Sequence, residues 1–546
     1  MSVLRVAAVI LLLSFILIMP ASAQEWTNIR LNEDQTTELQ NEEQIAINPT
    51  NPDNMVAVWR DFRLGYRRVA WAYTFDGGQS WTDGGLFEEP TYPRHSDPGV
   101  TADAEGNFYV IILSYIDTNQ ENGFYVYESA DGGVSWSDPR EVISEYPGAF
   151  EDKEFIACDR TGGAYDDNLY VTWTRFTWTT DILLRRSTDS GLSWSNTVDV
   201  SDNTSVQFPI PVVGRQGEVY ILWTSYAFSS ILIDVSTNGG LSFGNDRTVT
   251  PVYTPSTELN GGIDAYSSPH ADADITGGPY SGRLYVSYMD RRSGYTDFDI
   301  WVRYSDDMGE TWSAPVRAND DAPNNGRDQF HPWLVADNQG VVTLIFLDRR
   351  DDPQNRKYHC YLTQSFDGGV TWSENERVST EPSDPFYAAQ GPQEPVDLSQ
   401  PLPTPSRAGL IGEYIGVTAW NGHPTPVWTD IRNQHQDVYA GYLSTGAGVA
   451  DGSAAMRGRL ELRPNPLRAG QTLRIGSAGE IHGMVAIVDV TGRGIRTLRP
   501  IGSESSSLSW TWNGTDAGGT PVKPGIYFLR PAVASGTEPA RVIVLR

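Results

Sequence analysis

Along most of the chain, apolar and polar residues alternate in short runs, the period expected of half-buried strands. Clear examples are RVAWAYTF at 68–75, GFYVYES at 123–129, DILLRRS at 181–187 and DIWVRYS at 299–305. Such runs lead into one recurring phrase: TFDGGQSW at 74, SADGGVSW at 129, STDSGLSW at 187, STNGGLSF at 236, SDDMGETW at 305 and SFDGGVTW at 365. The phrase has the chemistry of a hairpin turn. Its acid accepts hydrogen bonds from turn N–H groups, its glycine takes a backbone conformation other residues avoid, and its aromatic residue anchors the hairpin in the core. The turn positions are Asp76, Asp131, Asp189, Asn238, Asp307 and Asp367, spaced 55, 58, 49, 69 and 60 residues apart.

A second pattern precedes each turn: an apolar strand, a Gly/Asn/Asp turn, and a strand ending in Trp or Tyr. EQIAINPTNPDNMVAVWRD (43–61), KEFIACDRTGGAYDDNLYVTWTR (153–175) and HPWLVADNQGVVTLIFLDR (331–349) show it. With the strand after each turn, the unit has four strands, the arithmetic of a β-propeller blade. Residues 413–443 hold three strands of a seventh unit and lack the turn phrase, while WTNIRLN at 26–32 is a strand without a unit. The expectation is an all-β chain with a seven-bladed propeller over 24–446, closed by that first strand, with six blades as the alternative. After a small-residue linker at 447–456, short apolar strands separated by Gly-rich turns predict a small Ig-like β-sandwich over 457–546.

Three global properties narrow the function. Residues 1–23 place Arg5 before VAAVILLLSFILIM and end in Ala21-Ser22-Ala23, the form of a secretory signal peptide, so the mature protein is expected to be secreted or on the cell surface. The formal net charge is −29, and −30 after Arg5 leaves with the leader, from 39 basic against 69 acidic residues. That field repels a polyanion, so nucleic acid is an unfavourable partner. The two cysteines, Cys158 and Cys360, fall on units across the ring from each other, too far apart for a disulfide.

In a propeller, the loops joining strands two and three and those joining blades lie on the face opposite the Asp-containing turns. The phrases WRDFR, MDRR, LDRR and TDIR bring Asp61, Asp290, Asp348 and Asp430, with Arg63, Arg292, Arg350 and Arg432, to that face. Arginine planes hold carboxylates through paired charge-assisted bonds; the alternative is that each Asp–Arg pair braces its own loop. The starts of the inner strands supply Glu43, Asp97, Glu154, His270, His331 and Glu413, with Tyr414 beside the last. These are candidate acid/base groups, candidate oxygen ligands for a cation such as calcium, or solvated channel lining. No cofactor motif and no His/Cys metal spacing occur. The Pro-rich segments 249–268 and 377–408, with Tyr253, Tyr266, Phe386 and Tyr387, are read either as lids of the channel that stack on sugar rings or as surface packing.

The recurring phrase resembles the Asp-box, or bacterial neuraminidase repeat, of sialidases and their relatives, and the resemblance covers roughly residues 26–445. It implies a glycoside hydrolase of the exo-sialidase kind, with a tyrosine nucleophile, an aspartate acid/base and three arginines on the substrate carboxylate. Carried onto this chain, Arg63, Arg292 and Arg350 form the clamp, with Arg432 as a fourth candidate. Asp61 is the acid/base, and Tyr414 with Glu413 is the nucleophile and its activator. Tyr358 is the alternative nucleophile, and Glu154, His270 and His331 line the substrate site. The Phe/Tyr-Arg-Ile-Pro phrase of sialidases is missing before Asp76, and the same box occurs in non-catalytic glycan- or protein-binding propellers, which remains the alternative. At the C-terminus, VDVTGRGIRTL and WNGTDAGGTPVKPGIYFLR resemble the Ig-like domain of flagellar hook-capping proteins and type IX secretion sorting domains. That likeness implies secretion machinery as a partner, besides extracellular glycans or glycoproteins, for a monomeric protein.

Overall fold

The computed structural model describes residues 25–116, 121–144, 148–388 and 411–444, and segments between 459 and 545. The expected leader (1–23) and linker (447–456) lie outside the described residues. The chain divides into two compact units, one spanning Trp26–Leu443 and one containing the residues from Ser444 on. Among the described residues no helix is long and apolar enough to cross a membrane.

The Trp26–Leu443 unit is all-β apart from one short helix, Pro385–Ala388. Among its described residues are seven four-stranded antiparallel sheets. Sheets one to six each follow chain order, with first strands Gln40–Ile47, Arg94–Ala102, Phe150–Cys158, Val206–Val213, His270–Ala273 and Gln329–Ala336. Sheet seven takes Gly416–Trp420, His423–Asp430 and Asp437–Ser444 from the end of the unit and Glu25–Arg30 as its outer strand. Each first strand packs beside the first strand of the next sheet, and the seventh returns to the first, so the series closes on itself.

Apolar side chains fill the space between successive sheets. Val56, Val58 and Val69 of sheet one pack with Phe108, Val110 and Ile112 of sheet two, and Tyr170 and Leu184 of sheet three pack with Val213 and Val219 of sheet four. The tryptophans near the ends of second strands, Trp59, Trp173, Trp223 and Trp428, are fully buried. Truncating a side chain of that size in a packed core costs about 3–5 kcal/mol. Cys158 and Cys360 are both buried and unpaired.

The turn phrases answer to local chemistry. Thr74 Oγ1 donates to Asp76 Oδ1 at 2.8 Å, and Asp76 in turn accepts the Ser80 N–H at 2.9 Å and the Ser80 O–H at 2.6 Å. Gly78 sits at φ +85°, a region that penalises a Cβ. Asp131, Asp189, Asp307 and Asp367 repeat the same three bonds with their own Ser or Thr residues. Asn238 keeps the pattern but donates from Nδ2 to Ser242 Oγ at 2.8 Å, because an amide nitrogen replaces the second acceptor. The phrase therefore builds a hairpin.

The Pro-rich segment 249–268 contains a hairpin, Ser256–Leu259 paired with Ile263–Tyr266. Asn260-Gly261-Gly262 supplies its turn, with both glycines at positive φ. The alternation of Ser-Thr-Glu-Leu with Ile-Asp-Ala-Tyr around that turn is a strand signal. Most of the second Pro-rich segment lies outside the described residues. The C-terminal unit pairs a three-stranded and a four-stranded antiparallel sheet. They share a core that includes Leu473, Trp510, Trp512, Ile487, Leu529 and Val542.

Candidate functional site

Five first strands carry the same irregularity near their start. The register to the second strand shifts between Asn41 and Gln44, Ser96 and Gly99, Asp152 and Phe155, Gln207 and Ile210, and Phe330 and Trp333. At each bulge one non-glycine residue takes a left-handed backbone: Glu42 (φ 59°), Asp97 (49°), Lys153 (58°), Phe208 (62°) and His331 (48°). In sheet seven the left-handed residue is Gly412 (φ 81°), where a Cβ would lie 2.8 Å from the Glu42 backbone nitrogen. Residues held at positive φ cost of order 1–3 kcal/mol each and gather at functional sites. Proline explains three of the bulges: Pro98, Pro209 and Pro332 follow the left-handed residue and cannot donate to a regular ladder.

The bulges bring side chains from separate sheets into one buried cluster. Lys153 Nζ pairs with Asp97 Oδ2 at 2.7 Å and with Glu413 Oε2, and lies 6.0 Å from the Phe208 ring centroid. Arg60 pairs with Glu42 Oε2 at 3.0 Å and donates from Nε to Asn41 Oδ1 at 2.8 Å. An aromatic layer adjoins the charges: the ring centroid of Phe155 lies 5.3 Å from that of Tyr414 and 5.7 Å from that of Trp333, and His270 packs against Trp333 at 4.4 Å with the planes tilted by 41°. Tyr414 donates its hydroxyl hydrogen to the Pro98 carbonyl at 3.3 Å. Both carboxyl oxygens of Glu154 are buried without a hydrogen bond to another described side chain.

The cluster splits its acids into two protonation classes. Burial favours the neutral form of Asp97, but the adjacent Lys153 and Arg60 cations overcome it and hold this carboxylate below its ordinary range. Burial pushes Glu42 and Glu43 up to about 8 and Asp152 up to about 7, and it raises Glu154 well above 4.5, with Asp97 adding repulsion. Burial also lowers His270 to about 3 and His331 to about 4, so both imidazoles are neutral at physiological pH.

These shifts set a pH dependence of stability. The folded chain holds protons on Glu42, Glu43 and Asp152 that the unfolded chain releases, so their contribution is complete below their ordinary values of 4.5 and 3.8. It is lost as pH rises through 7 to 8. Asp189 and Asp307 act in the opposite sense: hydrogen bonds from Ser193 and Thr311 lower them, and their contribution is lost below pH 3.8. The urea midpoint is expected to decline steadily from pH 4.5 to pH 8, and Glu43→Gln is expected to flatten that decline. A midpoint that rises across this window contradicts the protonated cluster.

The arginines expected to clamp a substrate carboxylate are engaged elsewhere. Arg63 binds Asp61 through its backbone N–H at 2.8 Å and through Nε at 2.9 Å, and reaches Asp83 of the outer strand at 3.2 Å. Arg350 repeats this with Asp348 at 2.7 and 2.8 Å and extends to Asn375 Oδ1 at 2.7 Å. Arg432 does the same with Asp430 at 2.9 and 2.8 Å and reaches Asn28 of the outer strand at 2.8 Å. Arg292 departs from the pattern. It stacks 3.7 Å from the Trp301 ring centroid, while Asp290 caps the Tyr253 and Thr254 N–H groups. Three of the four arginines thus tie a loop to the outer edge of its sheet, and the described geometry does not bring them together as a clamp.

Of the expected catalytic residues, Tyr414 and Glu413 reach the central cluster, while Asp61 and Tyr358 are engaged elsewhere. Asp61 is fully buried and saturated by Arg63 and the Trp59 indole. Tyr358 is buried with its hydroxyl donating to the Thr429 carbonyl at 3.0 Å, and burial beside Asp430 raises it well above 10. Tyr414 does reach the cluster, but burial and the Glu42, Asp97 and Glu154 carboxyls raise it as well. Neither tyrosine is poised to ionise. Glu413, Glu154, His270 and His331 belong to the central cluster. Sequence reasoning missed Lys153, Glu42 and Arg60: the prolines that mark the bulges at Asp97, Phe208 and His331 have no counterpart after Glu42 or Lys153.

Among the described residues one group of acids lies within metal-ligand reach of itself. Asp103, Glu105 and Asp167 place ligand atoms within 4.8 Å of one another, at loops joining first and second strands. These loops lie at the end of the sheets that carries the turn phrases.

The BNR/Asp-box repeat family model matches residues 303–314, the fifth turn phrase. No curated protein matches the chain. Several solved structures are similar to it. A protein of unknown function from Dyadobacter fermentans has a TM-score of 0.40 at 15% identity over 60% of this chain and 95% of its own. The leech intramolecular trans-sialidase complexed with 2,7-anhydro-Neu5Ac has a TM-score of 0.42 at 12% identity, covering 64% and 68%. The GH93 α-L-arabinofuranosidase of Fusarium graminearum with arabinobiose has a TM-score of 0.40 at 14% identity, covering 59% and 92%.

Proposed function

We propose that the seven sheets are the blades of a seven-bladed propeller that acts on extracellular glycans, with its site at the bulged starts of the inner strands. The observation that carries this reading is the pairing of oppositely tuned carboxyls. Lys153 keeps Asp97 ionised, while Glu154, buried and unpartnered, holds its proton. Two carboxyl groups pushed apart in this way suit a glycosidase, one donating a proton to the leaving oxygen and the other stabilising the oxocarbenium-like centre. Glu154 is the proposed acid and Asp97 the proposed base or nucleophile.

The charge balance favours a neutral sugar. Lys153 and Arg60 lie beside Glu42 and Asp97, Lys153 also serves Asp152, Glu154 and Glu413, and Arg63, Arg350 and Arg432 are committed to their own carboxylates. A sialic acid carboxylate would find three of the four loop arginines already engaged and the fourth, Arg292, over the Trp301 ring. The deep burial of Glu42, Arg60, Asp97, Lys153, Glu154 and Glu413 favours a second reading, a propeller that binds glycans without turnover. The apolar leader and the C-terminal unit fit export under either reading, with the C-terminal unit as the part addressed by secretion machinery.

The test is incubation of the full chain with a mixed library of neutral and sialylated glycans, with released sugars read by mass spectrometry. Neutral sugar release that Asp97→Asn and Glu154→Gln abolish is the expected result. Arg350→Ala is expected to keep turnover per folded molecule and to lower the melting temperature, because it leaves Asp348 buried and unpaired. Free sialic acid, lost in Arg350→Ala at unchanged stability, would restore the arginine clamp. Binding without release from a folded sample would make the protein a lectin-like propeller.

A further inference from the structure

Trp178 stands at the tip of the hairpin between the second and third strands of sheet three and is fully exposed, at 104% relative accessibility. In sheet four, Phe228 occupies the tip of the corresponding hairpin and is 56% exposed. An indole carries a large apolar surface, so a tryptophan left wholly in water is an informative exception.

The turn itself does not need this side chain. The Thr177 N–H donates to the Thr179 carbonyl at 2.8 Å, and the Thr179 N–H donates to Thr177 Oγ1 at 3.3 Å. The tip is therefore shaped by its threonines and holds the indole outward on a defined backbone. In a chain of net charge −29, residues 176–180 (FTWTT) and 225–230 (SYAFSS) carry no charge and are rich in hydroxyls.

The hairpin connects physically to the central cluster. Thr180 Oγ1 accepts the Val206 N–H at 2.8 Å, at the start of the first strand of sheet four. Gln207 follows and accepts the Tyr226 hydroxyl hydrogen at 3.2 Å, and Phe208 then reaches the Lys153 ammonium. The register places the tip at the bulged end of sheet three, since Phe150 pairs with Phe176 and Asp152 with Thr174.

We propose that Trp178, with Phe228 on the neighbouring sheet, is a stacking platform for neutral sugar rings at the rim of the central site, so that the protein engages a chain of several sugars. An aromatic plane suits the C–H face of a sugar ring, and the flanking Thr177, Thr179 and Ser229 hydroxyls suit its rim of hydroxyl groups. Arg175, the cation next to the hairpin tip, is engaged with Glu151. The proposal rests on the glycan reading above and extends it from one sugar to a polymer.

The experiment is calorimetric titration of the full chain with cellohexaose, xylohexaose, mannohexaose and arabinohexaose, each against its monosaccharide. The Glu154→Gln background prevents turnover during the titration. One hexaose is expected to bind, and Trp178→Ala is expected to weaken it about tenfold, the upper end of a single aromatic contact. Trp178→Phe should recover part of the loss, the melting temperature should stay unchanged, and monosaccharide binding should not respond. Hexaose affinity unchanged in both Trp178→Ala and Phe228→Ala overturns the platform, as does the failure of every hexaose to bind. The two proposals separate cleanly: hexaose binding lost in Trp178→Ala without any turnover in the parent chain supports the platform and removes the hydrolase. Turnover indifferent to Trp178→Ala does the reverse.

Discussion

Replacing Lys153 by methionine is expected to destabilise the Trp26–Leu443 unit by about 3–5 kcal/mol, the cost of removing one partner from a buried ion pair. Lys153 touches two carboxylates at once, Asp97 at 2.7 Å and Glu413, and all three are buried. Methionine keeps most of the volume and the contact with Phe208 but removes the ammonium from both acids, leaving Asp97 only the more remote influence of Arg60. Keeping two carboxyl groups buried without that ammonium costs folding free energy. Urea unfolding of the full chain followed by tryptophan fluorescence measures the loss in the transition of the larger unit. Adding Asp97→Asn to Lys153→Met should recover part of it, because the two sites share one interaction. A shift of less than about 1 kcal/mol would show that Asp97 and Glu413 are solvated in the free protein, contrary to their burial.

Deleting residues 25–31 is expected to abolish the cooperative unfolding of the same unit. Glu25–Arg30 is the outer strand of sheet seven, and its loss leaves the edge of Asp437–Ser444 unpaired. Trp26 and Leu31 leave two different apolar clusters, and truncation of a buried tryptophan alone costs roughly 3–5 kcal/mol. Asn28 is also lost; it donates to the Val378 carbonyl at 2.9 Å and accepts from Thr380 N–H at 2.7 Å and Arg432 at 2.8 Å. Those bonds tie sheet six to sheet seven. Calorimetry and size exclusion read the outcome, and a melting temperature within a few degrees of the parent would contradict a structural role for the strand.

The arginines show how far local pattern reaches. Asp-x-Arg at the ends of second strands is visible in WRDFR, LDRR and TDIR, and both a clamp and a brace were consistent with it. The brace depends on what stands at the fourth strand: Asp83, Asn375 and Asn28 lie 20 residues after, 25 residues after and 404 residues before their arginines. Arg292 carries the same motif, yet it stacks on Trp301 while Asp290 caps a neighbouring loop. The central cluster was only half legible. Glu154, His270, His331, Glu413 and Tyr414 stood out as polar residues at strand starts, whereas Lys153 and Glu42 were hidden one residue before named positions. A bulge turns the residue before it inward, and alternation counted along a regular strand cannot register that turn.

By itself the sequence determined the strands, their grouping in fours and the chemistry of the Asp-containing turns. Each of these depends on residues a few positions apart: alternation sets strand faces, and Asp, Gly and Ser or Thr close a turn within one phrase. The tertiary structure alone decided which side chains meet. Glu42, Asp97, Lys153, Phe208, His331 and Glu413 come from six different sheets, and only closure of the ring brings them into one buried cluster. Their protonation was decided there too, in ways no local pattern encodes: Lys153 and Arg60 hold Asp97 ionised against its burial, while burial and the Asp97 charge raise Glu154.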